Sequence, residues 1–198
     1  MPPKRKPAGA AVPQAGVTAA IERAMFDELL EKGYARMSME AVARRAGVGK
    51  AALYRRWPSK EAMLVDLVGD LARQHIPHVP DTGTLDGDVR AFLDTTLAQM
   101  RDPQINKIAL DLVAEAGRCP TLGDALREVV SRPRRAAAEE VLGRAIERGD
   151  VPAGLDLQLG IDLMISPLTF RLVIASGPVD GDYLTRLTRS VVAAIRAS

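Results

Sequence analysis

Helical spacing of the apolar residues constrains the fold of this chain more than any other feature of its sequence. From Thr18 onward, apolar side chains recur at intervals of three and four residues, which places them on one face of an α-helix. One such run consists of Val89, Phe92, Leu93, Thr96, Leu97 and Met100. No stretch alternates apolar and polar residues between turn signals, as a half-buried strand would. The sequence therefore predicts an all-α protein.

The remaining apolar runs predict further helices of the same kind. They cover residues 105–116, 122–130, 138–146, 155–175 and 184–195, and Pro133 is expected to end the second of them. The run from Leu155 to Ala175 is apolar on most faces, which predicts a helix that is buried nearly all round. Because this run also contains Asp156, Asp162 and Arg171, we do not expect it to span a membrane.

The first third of the chain predicts short helices separated by helix-breaking residues. Thr18 and Ser38 each suit a helix N-cap, where a hydroxyl accepts a hydrogen bond from an exposed backbone N–H. Gly33 and Gly47 suit helix ends, where glycine readily adopts the left-handed conformation. The expected helices cover residues 18–32, 39–46 and about 50–57, and a longer helix opens at Pro58.

Positive charge is concentrated toward the N-terminus. Residues 1–70 carry 12 Lys and Arg against 8 Asp and Glu, whereas residues 71–198 carry 15 against 17. This distribution indicates a polyanionic partner for the first part alone. Residues 1–16 are rich in Pro, Ala and Gly and include Lys4, Arg5 and Lys6, which predicts a disordered basic arm. Such an arm would either solubilise the protein or contact DNA, in the minor groove or along the backbone.

Cysteine usage and the first residues predict a cytoplasmic protein. The chain of 198 residues has one cysteine, Cys119, so no disulfide forms within it and a reducing compartment is the natural setting. The opening residues, MPPKRKPAGAAVPQAG, lack the apolar core of a secretory signal.

The segment AGVGKAALYRRW, residues 46–57, spaces its glycines as some phosphate-binding loops do. A dinucleotide-binding loop follows a buried strand, whereas the residues before Gly47 have helical spacing and charges on one face. A Walker A loop needs a glycine where Arg44 stands. The pattern therefore disfavours a nucleotide site.

The same segment fits a helix-turn-helix, in which Gly47 lies in the turn and the second helix enters the major groove of DNA. Val48 and Leu53 would then point into the core. The outward-facing residues would be Lys50, Ala51, Tyr54 and Arg55.

A longer match makes this interpretation specific. The residues SMEAVARRAGVGKAALYRRWPSKEAML, 38–64, resemble the DNA-binding domain of the TetR family of transcriptional regulators. The segment VTAAIERAMFDELLEKGYARMSM, 17–39, is similar to the first helix of that family and its glycine–tyrosine exit. The resemblance implies a three-helix DNA-binding domain at residues 17–62, followed by a larger helical domain at residues 63–198 that binds a ligand and dimerises.

The resemblance also implies a function. The chain is expected to be a ligand-responsive repressor, which a small-molecule effector releases from a pseudo-palindromic operator in double-stranded DNA. The helix that begins at Pro58 would carry the change from the ligand to the recognition helices. The alternative is a helical adaptor that binds only protein, which would not need the exposed face of Lys50, Tyr54 and Arg55.

Three residues depart from the family pattern. Glu28 stands where an apolar residue is usual, so the first helix is expected to pack differently. Gly49 stands where a serine often caps the recognition helix, which predicts a weaker cap. Ala52 replaces a common threonine and offers DNA a methyl group, suited to thymine, in place of a hydroxyl.

The resemblance carries a set of DNA-contacting residues onto this sequence. They are Thr18, Ser38, Met39, Arg44, Arg45, Lys50, Ala51, Ala52, Tyr54, Arg55, Trp57 and Lys60. Lys50 would read a guanine or hold a phosphate, and Tyr54 would contact phosphate or a base edge. Ordinary roles compete with each assignment: capping for the hydroxyls, surface charge for the arginines and core packing for Trp57.

In the family, a ligand pocket lies among the middle helices. Its candidate residues here are Phe92, Thr96, Met100, Leu112, Cys119, Met164, Phe170 and Arg171. Core packing is the competing role for most of them, whereas Arg171 would either anchor an anionic ligand or form half of an interface ion pair. The chain has only seven aromatic residues, which disfavours an aromatic cage.

The last two apolar runs, 155–175 and 183–195, carry more apolar surface than one small bundle hides. We therefore expect a homodimer through residues 155–196, in which each subunit contributes two helices to a four-helix interface. A purely internal core is the alternative.

The sequence does not predict an enzyme, a cofactor or a metal site. No nucleophile elbow and no zinc-protease motif is present. His75 and His78 have the spacing of two metal ligands, but no cysteine or carboxylate cluster completes a site.

Overall fold

A computed structural model describes residues 14–74 and 80–198, and within these ranges the regular elements are helices without any strand. The elements are α1 (Gln14–Arg36), α2 (Met39–Ala46), α3 (Lys50–Arg56), α4 (Lys60–Gln74), α5 (Leu85–Gln99), α6 (Pro103–Ala116), α7 (Pro120–Leu126), α8 (Arg132–Arg148), α9 (Leu157–Thr169) and α10 (Gly181–Ala197). Two π-helical segments, Arg127–Ser131 and Phe170–Ile174, extend α7 and α9. The all-α prediction is confirmed. His75, His78 and residues 1–13 of the predicted arm lie outside the described residues.

The first helix begins earlier than the sequence predicts. α1 starts at Gln14, so Thr18 lies inside the helix rather than at its N-cap, and residues 14–16 of the predicted arm are helical. Alanine, the residue with the highest helix propensity, occurs three times among residues 15–20, and this outweighs the capping preference of one threonine. Gly33 interrupts the helical backbone with φ 74° and ψ 165°, at the point where the sequence places the helix end.

Residues up to Leu64 form one compact unit, whose core draws on α1, α2, α3 and the start of α4. Its most deeply buried apolar side chains include Ile21, Met25, Leu29, Val42, Leu53, Trp57, Met63 and Leu64. Full burial of one such side chain stabilises a fold by about 1.5–3 kcal/mol, so this core fixes the orientation of each short helix.

Residues from Val65 onward form a second unit, in which α5, α8, α9 and α10 enclose the main core. This core includes Val89, Phe92, Leu93, Val141, Leu142, Ile161, Met164, Leu168, Leu184, Val192 and Ile195. Beside it, α6 packs against α7 and against the π-helical segment Phe170–Ile174.

Pro133 does not end the helix before it, contrary to the prediction from the sequence. α7 continues through the π-helical segment Arg127–Ser131 into α8, and Pro133 lies in the first turn of α8. In a regular α-helix the proline ring would clash with the carbonyl of Val129. That carbonyl belongs to the π-helical segment, where the wider turn accommodates the ring.

The helix predicted to be buried nearly all round is buried on one side only. Met164 and Leu168 of α9 are in the core, whereas Leu159, Phe170 and Ile174 are 47%, 60% and 52% exposed. The prediction is wrong for the single chain because the helices that contact α9, which are α5, α8 and α10, leave these three side chains exposed. By length and composition the stretch Leu157–Ile174 also meets the criterion for a membrane-crossing helix, as core helices of soluble proteins often do.

Candidate nucleic-acid interface

Three residues set the ends of α2 and the start of α3. Ser38 caps α2, and its Oγ accepts a hydrogen bond from the Ala41 N–H at 3.2 Å. Gly47 ends α2 in the left-handed conformation, with φ 68° and ψ 26°. Gly49 begins α3 without a side-chain hydrogen bond, as expected of a residue that lacks a hydroxyl. The arrangement is the helix-turn-helix that the sequence predicts.

Burial of one residue determines which faces of α3 meet solvent. Leu53 is 1% exposed and holds α3 against the core of the first unit, while Val48 in the turn is half-buried. The exposed side chains that remain include Lys50, Ala51, Ala52, Tyr54 and Arg55, which together we name the α3 surface. The sequence predicted this division of the helix.

Glu40 on α2 binds two side chains of the α3 surface. Lys50 Nζ lies 2.6 Å from Glu40 Oε1, and the Tyr54 hydroxyl lies 3.2 Å from the same oxygen. The hydrogen bond between Lys50 and Glu40 lowers the pKa of the carboxyl group and raises the pKa of the ammonium. Sequence reasoning missed Glu40, because a contact between two helices has no signature in the spacing of either one.

Arg45, a predicted phosphate contact, binds carboxylates of α1. Its guanidinium donates to both carboxylate oxygens of Glu31 and lies 3.1 Å from an oxygen of Glu28. Glu28 is 2% exposed and also pairs with Lys32 at 2.7 Å, so two cations compensate a carboxylate at a position that is usually apolar. The hydrogen bond to Glu31 raises the pKa of Arg45. Arg44 is exposed and has no carboxylate within 4.0 Å among the described residues, which makes it the better placed of the two for phosphate.

Lys60 and Thr18 also bind within the first unit. Lys60 Nζ donates to the carbonyl oxygens of Tyr34 and Ala35 at 2.9 and 3.1 Å, at the C-terminal end of α1. The same ammonium lies 4.4 Å from the centre of the Tyr34 ring. The Thr18 hydroxyl accepts a hydrogen bond from Arg56. A contact from either residue to DNA would therefore compete with a bond inside the protein.

Met39 and Trp57, two further predicted contacts, have buried side chains. Met39 is 4% exposed and Trp57 is 3% exposed, because the packing that buries Leu53 also carries Trp57 into the core. The guanidinium of Arg56 lies 4.3 Å from the Trp57 ring centre. Core packing, the role that competed with DNA contact for Trp57, describes its side chain. No such role was predicted for Met39, whose buried side chain leaves its backbone N–H at the start of α2 for contact with DNA.

The residues predicted to line a ligand pocket do not form one cluster. Those buried in the second unit are Phe92, Thr96, Met100, Leu112 and Met164. Phe170 is 60% exposed, so within the described part of the chain its side chain faces solvent rather than an enclosed site. Cys119 is half-buried before α7. Arg171 donates to the carbonyl of Pro178 and lies 5.0 Å from the Tyr183 ring centre, and its two predicted roles, toward an anionic ligand or a partner subunit, stay predictions.

The second unit also carries an open groove of about 540 Å³. Its lining includes Leu97, Met100, Asn106, Leu110, Leu172 and Val179. Met100 is the one predicted pocket residue that lines it within the described part of the chain. The volume lies in the range of small-molecule sites, about 300–1,000 Å³.

Two family profiles match this chain, one over each part. The profile described as bacterial regulatory proteins of the tetR family matches residues 23–67. The profile described as the tetracyclin repressor-like C-terminal domain matches residues 79–191, which is more than half of the chain.

Relatives with assigned names are similar over most of their length. The uncharacterized HTH-type transcriptional regulator YdeS of Bacillus subtilis is 30% identical over 183 residues, 92% of this chain and 91% of that protein. The DNA-binding transcriptional repressor TetR of Mycobacteroides abscessus is 30% identical over 177 residues, covering 88% and 91%. The crystal structure of the TetR family transcription regulator SCO0332 has 33% identity and a TM-score of 0.67, covering 90% of this chain and 98% of that one. These relatives are regulators of transcription rather than enzymes.

Proposed function

The chain belongs to the TetR family of bacterial transcriptional regulators, and from this membership we propose that it is a repressor released from its operator by a small-molecule effector. The DNA-binding part corresponds to residues 17–62 and the regulatory part to residues 63–198. α4 begins in the first unit and ends in the second, so it connects effector binding to the position of α3. Repression is supported by the M. abscessus relative, which is named a repressor.

The proposed contact with DNA is supported by one observation, the exposure of the α3 surface on one side of the helix. Lys50, Tyr54 and Arg55 are exposed on one side of a helix whose other side is anchored by Leu53. Lys50 and Tyr54 would contact base edges or phosphates, and the methyl groups of Ala51 and Ala52 would face thymine. Arg55, Arg44 and the capped start of α2 at Ser38 would hold phosphates.

A second copy of the chain completes the proposed operator-binding form. Leu159, Phe170 and Ile174 form an exposed apolar surface along α9 and the segment that follows it. Contact between two such surfaces, with α10 beside them, would give a two-fold dimer. The dimer would present two α3 surfaces to half-sites about 34–36 Å apart, as a pseudo-palindromic operator requires. A regulator of this kind works in the cytoplasm, where we place this protein.

A salt series of DNA binding tests the proposal. Fluorescence anisotropy with duplexes from the regions flanking its own gene measures affinity for wild type, for Lys50→Ala with Tyr54→Ala, and for Arg118→Ala. We expect the double variant to lose about 10- to 100-fold in affinity for the operator and to reduce the salt slope by about one. Arg118→Ala removes one exposed charge of the second unit and should bind as wild type does.

Two results would contradict the proposed function. Unchanged affinity of the double variant would remove the α3 surface from the DNA interface. An absence of salt-dependent binding to any duplex would favour the alternative of a protein-binding adaptor.

A further inference from the structure

One half-buried arginine of the second unit, Arg134, has no carboxylate partner among the described residues. Arg134, in the first turn of α8, donates from Nη2 to Gln99 Oε1 on α5 at 3.3 Å. No carboxylate lies within 4.0 Å of its guanidinium among the described residues, although a guanidinium has five N–H donors. Burial lowers the pKa of Arg134 below its ordinary value. Arg134 is half-buried, and its cation is therefore only partly compensated by the neutral side chain of Gln99.

Arg148, a half-buried arginine at the other end of α8, is compensated by carboxylates. Arg148 binds Asp81, Asp88 and Asp150 at 3.0, 2.9 and 3.1 Å. Its hydrogen bond to Asp88 raises the pKa of Arg148, the opposite of the direction at Arg134. A charge removed from water without a counter-charge destabilises a fold. The difference arises because Arg134 has no carboxylate partner of this kind among the described residues, which leaves a place for the anionic group of a ligand.

A second unsatisfied polar group, the hydroxyl of Thr96, lies on α5 one turn before Gln99. Thr96 is 1% exposed, and its Oγ1 has no hydrogen-bond partner among residues 14–74 and 80–198. The buried Thr188 of α10, by contrast, donates its hydroxyl to the carbonyl of Leu184 at 2.8 Å, as helical threonines usually do. Thr96 and Gln99 are three residues apart, so they are neighbours on the surface of α5. α5 packs against α8, and Gln99 accepts the hydrogen bond from Arg134 there.

The neighbours of these polar groups are apolar. On α8, the buried residues within two turns of Arg134 include Ala137, Ala138 and Val141. On α5, Leu97 and Met100 follow Thr96 and Gln99 in sequence and line the groove of about 540 Å³. One cation and one hydroxyl among apolar side chains match a ligand with a single anionic group and an apolar body.

We propose that the effector is an apolar carboxylate, with its carboxylate bound between α5 and α8 by Arg134 and Thr96 and its apolar body extending toward the groove. This inference rests on the proposed function and specifies the chemistry of its effector. The planar guanidinium pairs with a carboxylate through two parallel hydrogen bonds, and the Thr96 hydroxyl donates a third. A phosphate dianion would leave one charge uncompensated, because the neighbouring Arg132 and Arg135 already bind Glu128 and Asp162.

Matched probes and matched variants test the site. The probes are octanoate against octan-1-ol and 4-phenylbutyrate against 4-phenylbutan-1-ol, each pair differing only in the charged group. The variants are Arg134→Met, Thr96→Val and, as the control, Arg132→Met, an exposed arginine two residues away. Thermal unfolding and release of the operator are followed for each combination.

We expect at least one carboxylate to raise the Tm of wild type and of Arg132→Met by about 3 °C or more, and its alcohol to raise it less. Arg134→Met should lose the difference between carboxylate and alcohol, and Thr96→Val should reduce it. Without a probe, Arg134→Met should melt at or above the wild-type temperature, because the substitution removes an uncompensated charge. The same carboxylate should release wild type from its operator and leave Arg134→Met bound.

Three results would overturn the site. They are equal Tm shifts for the carboxylates and alcohols in wild type, a carboxylate shift that survives in Arg134→Met, and a fall of several degrees in the Tm of Arg134→Met without probe. The last result would assign Arg134 a structural role in joining α8 to α5. Failure of the proposed function is separate, since it appears as a loss of operator binding before any probe is added.

Discussion

In the free protein, Glu40 neutralises the Lys50 ammonium and accepts the hydrogen bond of the Tyr54 hydroxyl. Both groups have to share or leave this carboxylate when they meet DNA, and the carboxylate itself repels the phosphate backbone. Because the two partners are 62% and 47% exposed, the ion pair contributes little to folding. Its main effect is therefore on binding.

We predict that Glu40→Gln raises affinity for the operator about 3- to 10-fold at low salt, and that the gain narrows as salt screens the charges. Anisotropy titrations of wild type, Glu40→Gln and the control Glu139→Gln, an exposed carboxylate of the second unit, measure the effect. Weaker binding by Glu40→Gln would show instead that the carboxylate positions Lys50 and Tyr54 for contact.

For individual residues, the spacing of apolar positions predicts which side of a helix is exposed, but it does not predict which group an exposed side chain binds. The outward positions of Lys50 and Tyr54 follow from the burial of Leu53, and the sequence analysis identified them. The partner of Arg45 lies 14 residues away and that of Lys60 lies 26 residues away, so neither pair follows from local spacing. Only the packing of α1 brings these groups together.

Between elements, a buried carboxylate joins the first turn of α5 to the last turn of α8. Asp88 is fully buried and accepts hydrogen bonds from the Thr82 backbone N–H at 2.7 Å and from Arg148 at 2.9 Å. Burial alone would raise the pKa of Asp88, but the hydrogen bonds from Thr82 and Arg148 outweigh it and lower the pKa. The ionised form is thus the one that holds the two helices together.

We predict that Asp88→Asn lowers the free energy of unfolding by about 2–4 kcal/mol near neutral pH, because it leaves Arg148 with less counter-charge in a partly buried site. The control Asp86→Asn removes an exposed partner of Arg196 and should change stability by less than about 0.5 kcal/mol. Urea unfolding measures both variants.

The pH dependence of that difference tests its electrostatic origin. Since the pKa of Asp88 is lower in the folded chain, its stabilisation is complete above the ordinary carboxyl pKa of about 4 and is lost as pH falls through the lowered value. The gap between wild type and Asp88→Asn should therefore narrow in acid. A gap that stays constant with pH would mean that the amide disrupts packing rather than charge.

Apolar periodicity predicted most helices because their burial follows their spacing. It failed where another property decided the outcome. Because of helix propensity, α1 begins at Gln14 rather than after Thr18. Because a π-helical segment precedes Pro133, the helix continues through this proline instead of ending there. The burial of α9 was overpredicted because an apolar sequence does not say whether its second side is covered by the same chain or by another one.

For the whole molecule, the exposed apolar side of α9 is relevant to whether two copies of the chain form a dimer. Leu159, Phe170 and Ile174 are each about half exposed and lie along one continuous stretch of helix. Exposed apolar groups that recur along one element usually mark an interaction surface, whereas single exposed apolar residues are common. In the proposed dimer this surface contacts the same surface of the second copy. Burial on both sides would explain why the sequence of α9 is apolar on most of its faces.

We predict that Phe170→Glu with Ile174→Glu converts the dimer to a monomer, because the two-fold axis brings like charges together in place of apolar contacts. Light scattering after gel filtration should give twice the chain mass of 21.3 kDa for wild type and one chain mass for the double variant. Val113→Glu places the same charge on an apolar residue of α6 that is 63% exposed and should leave the dimer intact. The monomer should bind a single half-site as wild type does but lose the extra affinity for a two-half-site operator. A double variant that still has twice the chain mass would place the dimer interface on another surface.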